Sequence, residues 1–270
     1  MAFRNRLMPL AIALASTVTL ATPSRAADPD LLLWLKLDET TGTLAADASG
    51  NGHNGTVVTG SGTPEWVAGR RGNALEIEAL DGTRARRVQV PWSSSLAVTN
   101  RLTAMSWIRL RDHTHGGAEE HEGANDKNVV GRSSTTDWRL LVRPSDDRIS
   151  FIVDTGSTRV TLVGYVPGSG LAANTWYHVA ATYDGSRMRV YLNAVELANQ
   201  TCSGNLQISS STSIPLGVGA FPQNATTWDD GLPGALDEVK VWKRALTAAE
   251  IAAEMNAGAA PARLQWRENF

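Results

Sequence analysis

The stretch NTWYHVAATYDGSRMRVYLN, residues 174–193, reads as two strands closed by a tight turn. From Trp176 to Tyr183, and again from Met188 to Leu192, apolar and polar residues alternate. That is the period-two pattern of strands with one buried face. Asp184-Gly185 lies between them and supplies the hairpin turn. The same pattern extends in both directions. Leu31, Leu33, Leu35 and Leu37 alternate in LLLWLKL, and further runs fall at 74–78, 87–91, 103–110, 138–143, 149–154, 159–165 and 236–242. Gly, Asn, Asp, Ser and Pro dominate between the runs, as turn residues do. One helix is expected, at 248–256, where Thr247 and Glu250 form a capping box and Gly258 follows the end. Strands without alternating helices exclude a parallel α/β fold. A two-sheet antiparallel sandwich of jelly-roll type, all-β with one short C-terminal helix, is the expected architecture.

The chain has 270 residues, of which 42% are apolar and 19% charged, a globular composition. The formal charge is −2, so no basic excess supports nucleic-acid binding through counterion release. A lone cysteine, Cys202, rules out an intramolecular disulfide and reads as incidental in its polar TCSGNL context. Residues 1–26 carry Arg4 and Arg6, an apolar stretch at 7–22 and the small-residue exit Ser24-Arg25-Ala26. These are the parts of a secretory signal peptide, and the apolar run is short of the roughly 20 residues a membrane span needs. The expected organisation is a leader at 1–26, one domain at 27–258 and a tail at 259–270. No membrane span is expected in the mature chain, which would be secreted, periplasmic or on the cell surface. The three N-x-T triplets, at Asn54, Asn199 and Asn224, would matter only in a glycosylating host.

Five segments, taken in order, carry a family resemblance. They are LLWLKLDETTGT at 32–43, DASGNGHNGT at 47–56, WVAGRRGNALEI at 66–77, the hairpin at 174–193 and GALDEVKVWKRALTAAEI at 234–251. Together they resemble the laminin-G-like, concanavalin-A-like jelly-roll domains of secreted proteins. The resemblance implies two curved sheets with the first and last strands adjacent, and extracellular carbohydrate or protein binding. It also implies calcium, carried over to Asp47 of the D-x-S-G-N-G turn and Asp237 of the D-E-V strand, with Asn51 completing the set. Asn54 is a further oxygen donor in the same turn. Calcium takes six to eight oxygens from carboxylates and carbonyls, and these residues supply them. Period two puts Asp237 on the side of Val239 and Val241, where an unpaired carboxylate is costly. The competing reading is that Asp47 braces an Asx turn and Asp237 meets a backbone amide.

Other residues are sorted by pattern. His178 alternates with apolar neighbours and is expected to be structural, and His53 solvated. His113, His115 and His121 fall among Glu119, Glu120 and Glu122 in a polar, glycine-containing loop; they are expected to be exposed and not to converge on a metal. Trp34, Trp107, Trp176 and Trp242 lie in strand patterns and are expected in the core. Trp228, with Gln223, Asn224, Asp229 and Asp230 around it, is the first choice for a sugar platform, the alternative being a lid on the sandwich. No Glu-x-Asp-x-x-Glu strand motif and no G-x-S-x-G elbow occurs. Tyr165, Arg143 and His178 have the right chemistry for a lyase, but no spacing selects them. A carbohydrate-binding or adhesion module acting on a polysaccharide or glycoconjugate therefore ranks above a glycoside hydrolase or polysaccharide lyase on the same fold.

Overall fold

The computed structural model describes residues 28–60, 62–77, 86–111, 126–132 and 137–257. The leader, His113, His115, His121 and the tail from 259 lie outside them. In chain order the first strands are β1 (Leu31–Leu35), β2 (Leu44–Ala45), β3 (Gly55–Val58), β4 (Trp66–Ala68), β5 (Asn73–Ile77), β6 (Arg87–Val90), β7 (Leu102–Leu110), β8 (Lys127–Gly131) and β9 (Trp138–Arg143). There follow β10 (Arg148–Asp154), β11 (Arg159–Tyr165), β12 (Trp176–Tyr183), β13 (Arg187–Leu192), β14 (Val195–Thr201), β15 (Leu216–Val218), β16 (Phe221–Pro222), β17 (Trp228–Asp229) and β18 (Gly234–Trp242). Helix α1 (Ala248–Asn256) closes the series.

Two eight-stranded antiparallel sheets face each other. The first runs β14-β13-β12-β7-β18-β5-β4, with β1 also paired to β18. The second runs β11-β10-β9-β8-β15-β6-β3-β2. Alternation decides which side chains enter the shared core. Leu102, Ala104, Ile108 and Leu110 of β7 point inward with Val179, Ala181 and Tyr183 of β12, and they meet Leu140, Val142, Ile149, Phe151 and Val153 of the second sheet. The hairpin at Asp184-Gly185 forms as expected, with Gly185 at φ 91. Cys202 corrects the polar-loop reading: it is buried in this core, 5% exposed, and burial pushes its thiol pKa up.

A bulge at Glu238 (φ 54) interrupts the register of β18 on β7, between Asp237 and Lys240. Leu236, Val239 and Val241 face the core, whereas Trp242 belongs to a separate cluster on the outer face with Met105, Ala180, Tyr191, Leu246 and Ile251. The inserted residue thus moves Asp237 to the face opposite Val239 and Val241, against the strict alternation read from sequence. Trp107 and Trp242 are buried on this outer face, and Trp34 and Trp176 are only half-buried, so none of the four enters the inter-sheet core.

Helix α1 covers part of that face. Thr247 Oγ1 accepts from the Glu250 amide at 3.2 Å, and Glu250 Oε2 accepts from the Thr247 amide at 2.7 Å, the expected capping box. At the other end Arg71 donates to the carbonyls of Glu254 and Met255 at 3.0 and 2.7 Å, satisfying two orphan acceptors of the last turn. Thr247→Ala should cost about 1 kcal/mol, read as a small downward shift in denaturant midpoint without a change in slope.

Candidate functional site

The first long turn is built on Asp47. Its Oδ1 accepts from the amides of Trp34 and Ser49 at 3.0 and 2.9 Å, and its Oδ2 from Ser49 Oγ and the His53 amide, both at 2.8 Å. Burial pushes the carboxyl pKa up, but these donors outweigh burial and hold it below the usual range. Asn54 Oδ1 accepts from the Asp47 amide at 2.8 Å, and Asn51 Nδ2 donates to the carbonyls of Leu31 and Leu32 at 2.8 and 3.0 Å. The turn is thereby sewn to β1. Asp47 bridges to Leu35, and Leu35 pairs on its other side with Val239, so β1 stands between Asp47 and the last strand. The geometry does not bring Asp47 to Asp237 as the adjacency argument expected; it matches the competing Asx-turn reading.

Asp237 is buried without access to solvent, 0% exposed. Its Oδ2 accepts from the Arg71 amide at 2.8 Å, and its Oδ1 has no partner. Burial is the main cause that pushes its pKa up to about 7, with Glu238 and Asp38 adding to the rise and the Arg70 and Arg71 amides opposing it. Asp38 lies on the same Arg70–Asn73 turn: its Oδ1 accepts from the Asn73 amide at 3.0 Å. Gly72 (φ 50) is required there, since a Cβ would collide with that Asp38 oxygen. Among the described residues no three His, Cys, Asp or Glu side chains form a metal-binding group.

Trp228 lies on the outer face of the second sheet and is 1% exposed. Its ring edge packs where Gly217 leaves room, Cζ3 lying 2.9 Å from the position a Cβ would take. The Arg87 guanidinium, whose pKa burial pushes down to about 10, stacks 4.4 Å from the ring centroid. The ring therefore offers no free face to a sugar, which corrects the platform reading. Asn224 and Asp229 are exposed but hold their own hairpin. Asn224 Oδ1 accepts from the amides of Thr226 and Thr227 at 2.9 and 2.8 Å, and Asp229 Oδ2 accepts from Gln223 Nε2 at 2.7 Å. Asp230 turns inward to Arg139 at 2.5 Å, and the Arg139 guanidinium stacks on Phe221 at 3.4 Å. The β16–β17 hairpin is thus latched to the sheet by two arginine–aromatic stacks.

An exposed aromatic lies elsewhere on the same face. The register of the second sheet sets Tyr165, Arg148 and Arg143 opposite one another on β11, β10 and β9. Their neighbours Leu162, Ile149 and Val142 point into the core, so all three face outward. Tyr165 is 63% exposed, with the Arg148 guanidinium 4.9 Å from its ring centroid. Arg148 Nε lies 3.0 Å from Asp146 Oδ2, and Arg143 Nε donates to Asp126 Oδ1 at 2.8 Å. An open ring beside fixed planar donors and carboxylates is the make-up of a saccharide subsite. His178 is on the other sheet, buried, where burial first and then Lys240 and Arg71 push its pKa down to about 3. The Tyr–Arg–His combination therefore does not converge. Pairing register alone joins Tyr165 to Arg143, and no local spacing encodes it.

The sequence matches the laminin-G profile of the concanavalin A-like lectin/glucanases superfamily over residues 81–252. No curated protein matches it. Among solved structures, domain 4 of AbnA, a GH43 extracellular arabinanase from Geobacillus stearothermophilus in complex with arabinotriose, aligns with TM-score 0.59 at 18% identity, over 84% of this chain and 98% of that one. The binding domain of Paraclostridial Mosquitocidal Protein 1 aligns with TM-score 0.61 at 18% identity, over 84% of this chain and 52% of that one. The botulinum neurotoxin type G receptor binding domain aligns with TM-score 0.59 at 12% identity, over 84% and 51%. The chain thus spans about half the length of the two toxin domains. At these identities the likeness is one of fold. With the profile spanning most of the chain and the paired sheets it calls for in place, the protein belongs to the concanavalin A-like lectin/glucanase superfamily.

Proposed function

We propose that the protein is a secreted carbohydrate-binding module, engaging a polysaccharide or glycoconjugate through the Tyr165 row and stabilised by calcium at Asp237. The observation that carries the first part is Tyr165 itself, 63% exposed on the edge strand at the end of a row continued by Arg148 and Arg143. A ring so placed stacks on the apolar face of a pyranose or furanose, while Arg148, Arg143 and Asp146 meet its hydroxyls. The similarly folded arabinanase domain was solved with arabinotriose. Export is inferred from the leader-like residues 1–26; no helix of the described residues is long and apolar enough to cross a membrane. Cleavage of the glycan is the weaker reading, because Asp126 and Asp146 are already engaged by Arg143 and Arg148.

The fit of calcium rests on the unpartnered, fully buried Oδ1 of Asp237. A hard cation accepts such an oxygen and removes its desolvation cost. Asp237 and Asp38 would hold the ion, with main-chain oxygens of the neighbouring turn completing the shell. The ion would supply no chemistry beyond neutralising the two carboxylates and fixing the Arg70–Asn73 turn. Asp47 and Asn51 are left to brace β1.

Glycan-array screening of the purified protein, followed by titration of the best ligand, tests the binding reading. Tyr165→Ala should weaken that ligand roughly ten-fold or more, with an unchanged melting curve. Undiminished binding by the variant would remove this row from the ligand site.

A further inference from the structure

The outer face of the first sheet carries a different row. Glu76, Ala235, Arg109 and Trp176 stand opposite one another on β5, β18, β7 and β12. Beside it on the same face lie Asp237, Trp107 and His178. Two guanidiniums stack on the two indoles: Arg109 lies 5.1 Å from the Trp176 centroid and Arg70 lies 4.7 Å from that of Trp107. Trp176 remains partly open to solvent.

Among the described residues, positive charge outweighs negative on this face. Glu76 is shared by Arg109 at 3.4 Å and Arg111 at 2.7 Å, and both arginines reach solvent. Arg70 is exposed and has no acidic partner among the described residues. Asp237 is sealed beneath the face, and His178 is buried beside Trp107 at a ring-centroid distance of 5.3 Å. The described part of the patch is therefore cationic on a chain whose formal charge is −2. A guanidinium pre-oriented on an indole presents its edge N–H groups to one carboxylate or sulfate, which it binds with two parallel hydrogen bonds. The patch is too small, and the chain too acidic overall, to hold the continuous phosphate backbone of a nucleic acid.

We propose that this face is a second ligand site for an acidic saccharide, with Arg70 and Arg109 holding its carboxylate or sulfate beside Trp176. It lies on the opposite outer face of the sandwich from Tyr165, so the two sites can be tested independently.

The test is calorimetric titration of the purified protein with an oligogalacturonide, the same oligosaccharide methyl-esterified, a sulfated heparin oligosaccharide and a short DNA duplex. The free acid, the sulfated chain or both should bind, and the ester should bind at least ten-fold more weakly. Added sodium chloride should weaken the interaction, as it does any exposed ion pair. Arg70→Gln with Arg109→Gln should abolish binding at an unchanged melting temperature, and Tyr165→Ala should leave it intact. Should the double variant melt early, Arg70→Gln alone is read, with a loss of at least five-fold expected. Equal binding of acid and ester, silence of both anionic saccharides, undiminished binding by Arg70→Gln, or tighter binding of DNA would each overturn the assignment.

Discussion

Chelating calcium should lower the melting temperature by about 10 °C at any pH above about 7, and calcium should restore it where magnesium does not. The magnitude comes from Asp237. Its carboxyl moves from an ordinary 3.8 to about 7 on folding, chiefly through burial. At about 1.4 kcal/mol per unit, holding it ionised without a cation costs on the order of 4 kcal/mol. For a domain of this size each kcal/mol is worth about 2–4 °C. The sign in cation-free protein follows from linkage. A raised folded pKa gives stability that is fully present below 3.8 and lost as pH rises through about 7. Asp184, held near 2 by its Arg189 and Ser186 partners against the effect of burial, acts in a separate, more acidic window. Asp237→Asn should flatten the neutral limb and abolish the calcium response; Asp38→Asn should weaken the response. A melting curve indifferent to chelator would end the proposal for this site.

Arg132→Ala should destabilise the protein by about 3–5 kcal/mol, measured by urea denaturation. Arg132 and Asp137 pair at 2.7 Å with both side chains 1% exposed. Arg132 also donates to the carbonyls of Ile214 at 3.0 Å, Ser209 at 3.2 Å and Ser211, and its guanidinium lies 3.6 Å from the Trp92 centroid. Asp137 Oδ1 accepts from the Ser209 amide at 2.7 Å. One arginine thus anchors the irregular chain before β15, and its removal strands a buried carboxylate and three carbonyls. Arg132→Met with Asp137→Leu should recover part of the loss, because neither charge then has to be desolvated. A loss below about 1 kcal/mol for the single variant would show that water reaches the pair.

Period-two alternation made the sandwich legible from sequence. The hairpin at Asp184-Gly185 and the Thr247–Glu250 capping box rest on contacts a few residues apart, and such contacts are written locally. The sites were harder to read because their partners are distant in the chain. Asp47 looked like a metal ligand because its turn is rich in oxygens, yet the donors that satisfy it come from its own turn and the neighbouring strand. Trp228 looked exposed because its neighbours are polar; the absent side chain of Gly217 creates the space it fills. Tyr165 and Arg143 drew notice only for their chemistry, since two pairing registers had to be known before they shared a row.

The bulge at Glu238 sets where the last strand can lose a residue. Deleting that single residue would remove the bulge and leave simple alternation, with Asp237, Lys240 and Trp242 outward and Val239 and Val241 inward as they already are. Deleting a regularly paired residue such as Lys240 would instead turn Val241 outward and Trp242 into the apolar interior. The one-codon deletion at 238 removes the hydrogen bond from Trp34 Nε1 to Glu238 Oε2 but leaves the facing of the strand intact. A deletion scan of residues 234–242 should therefore show its mildest loss at 238, flanked by positions where removing one residue puts part of the strand on the wrong face.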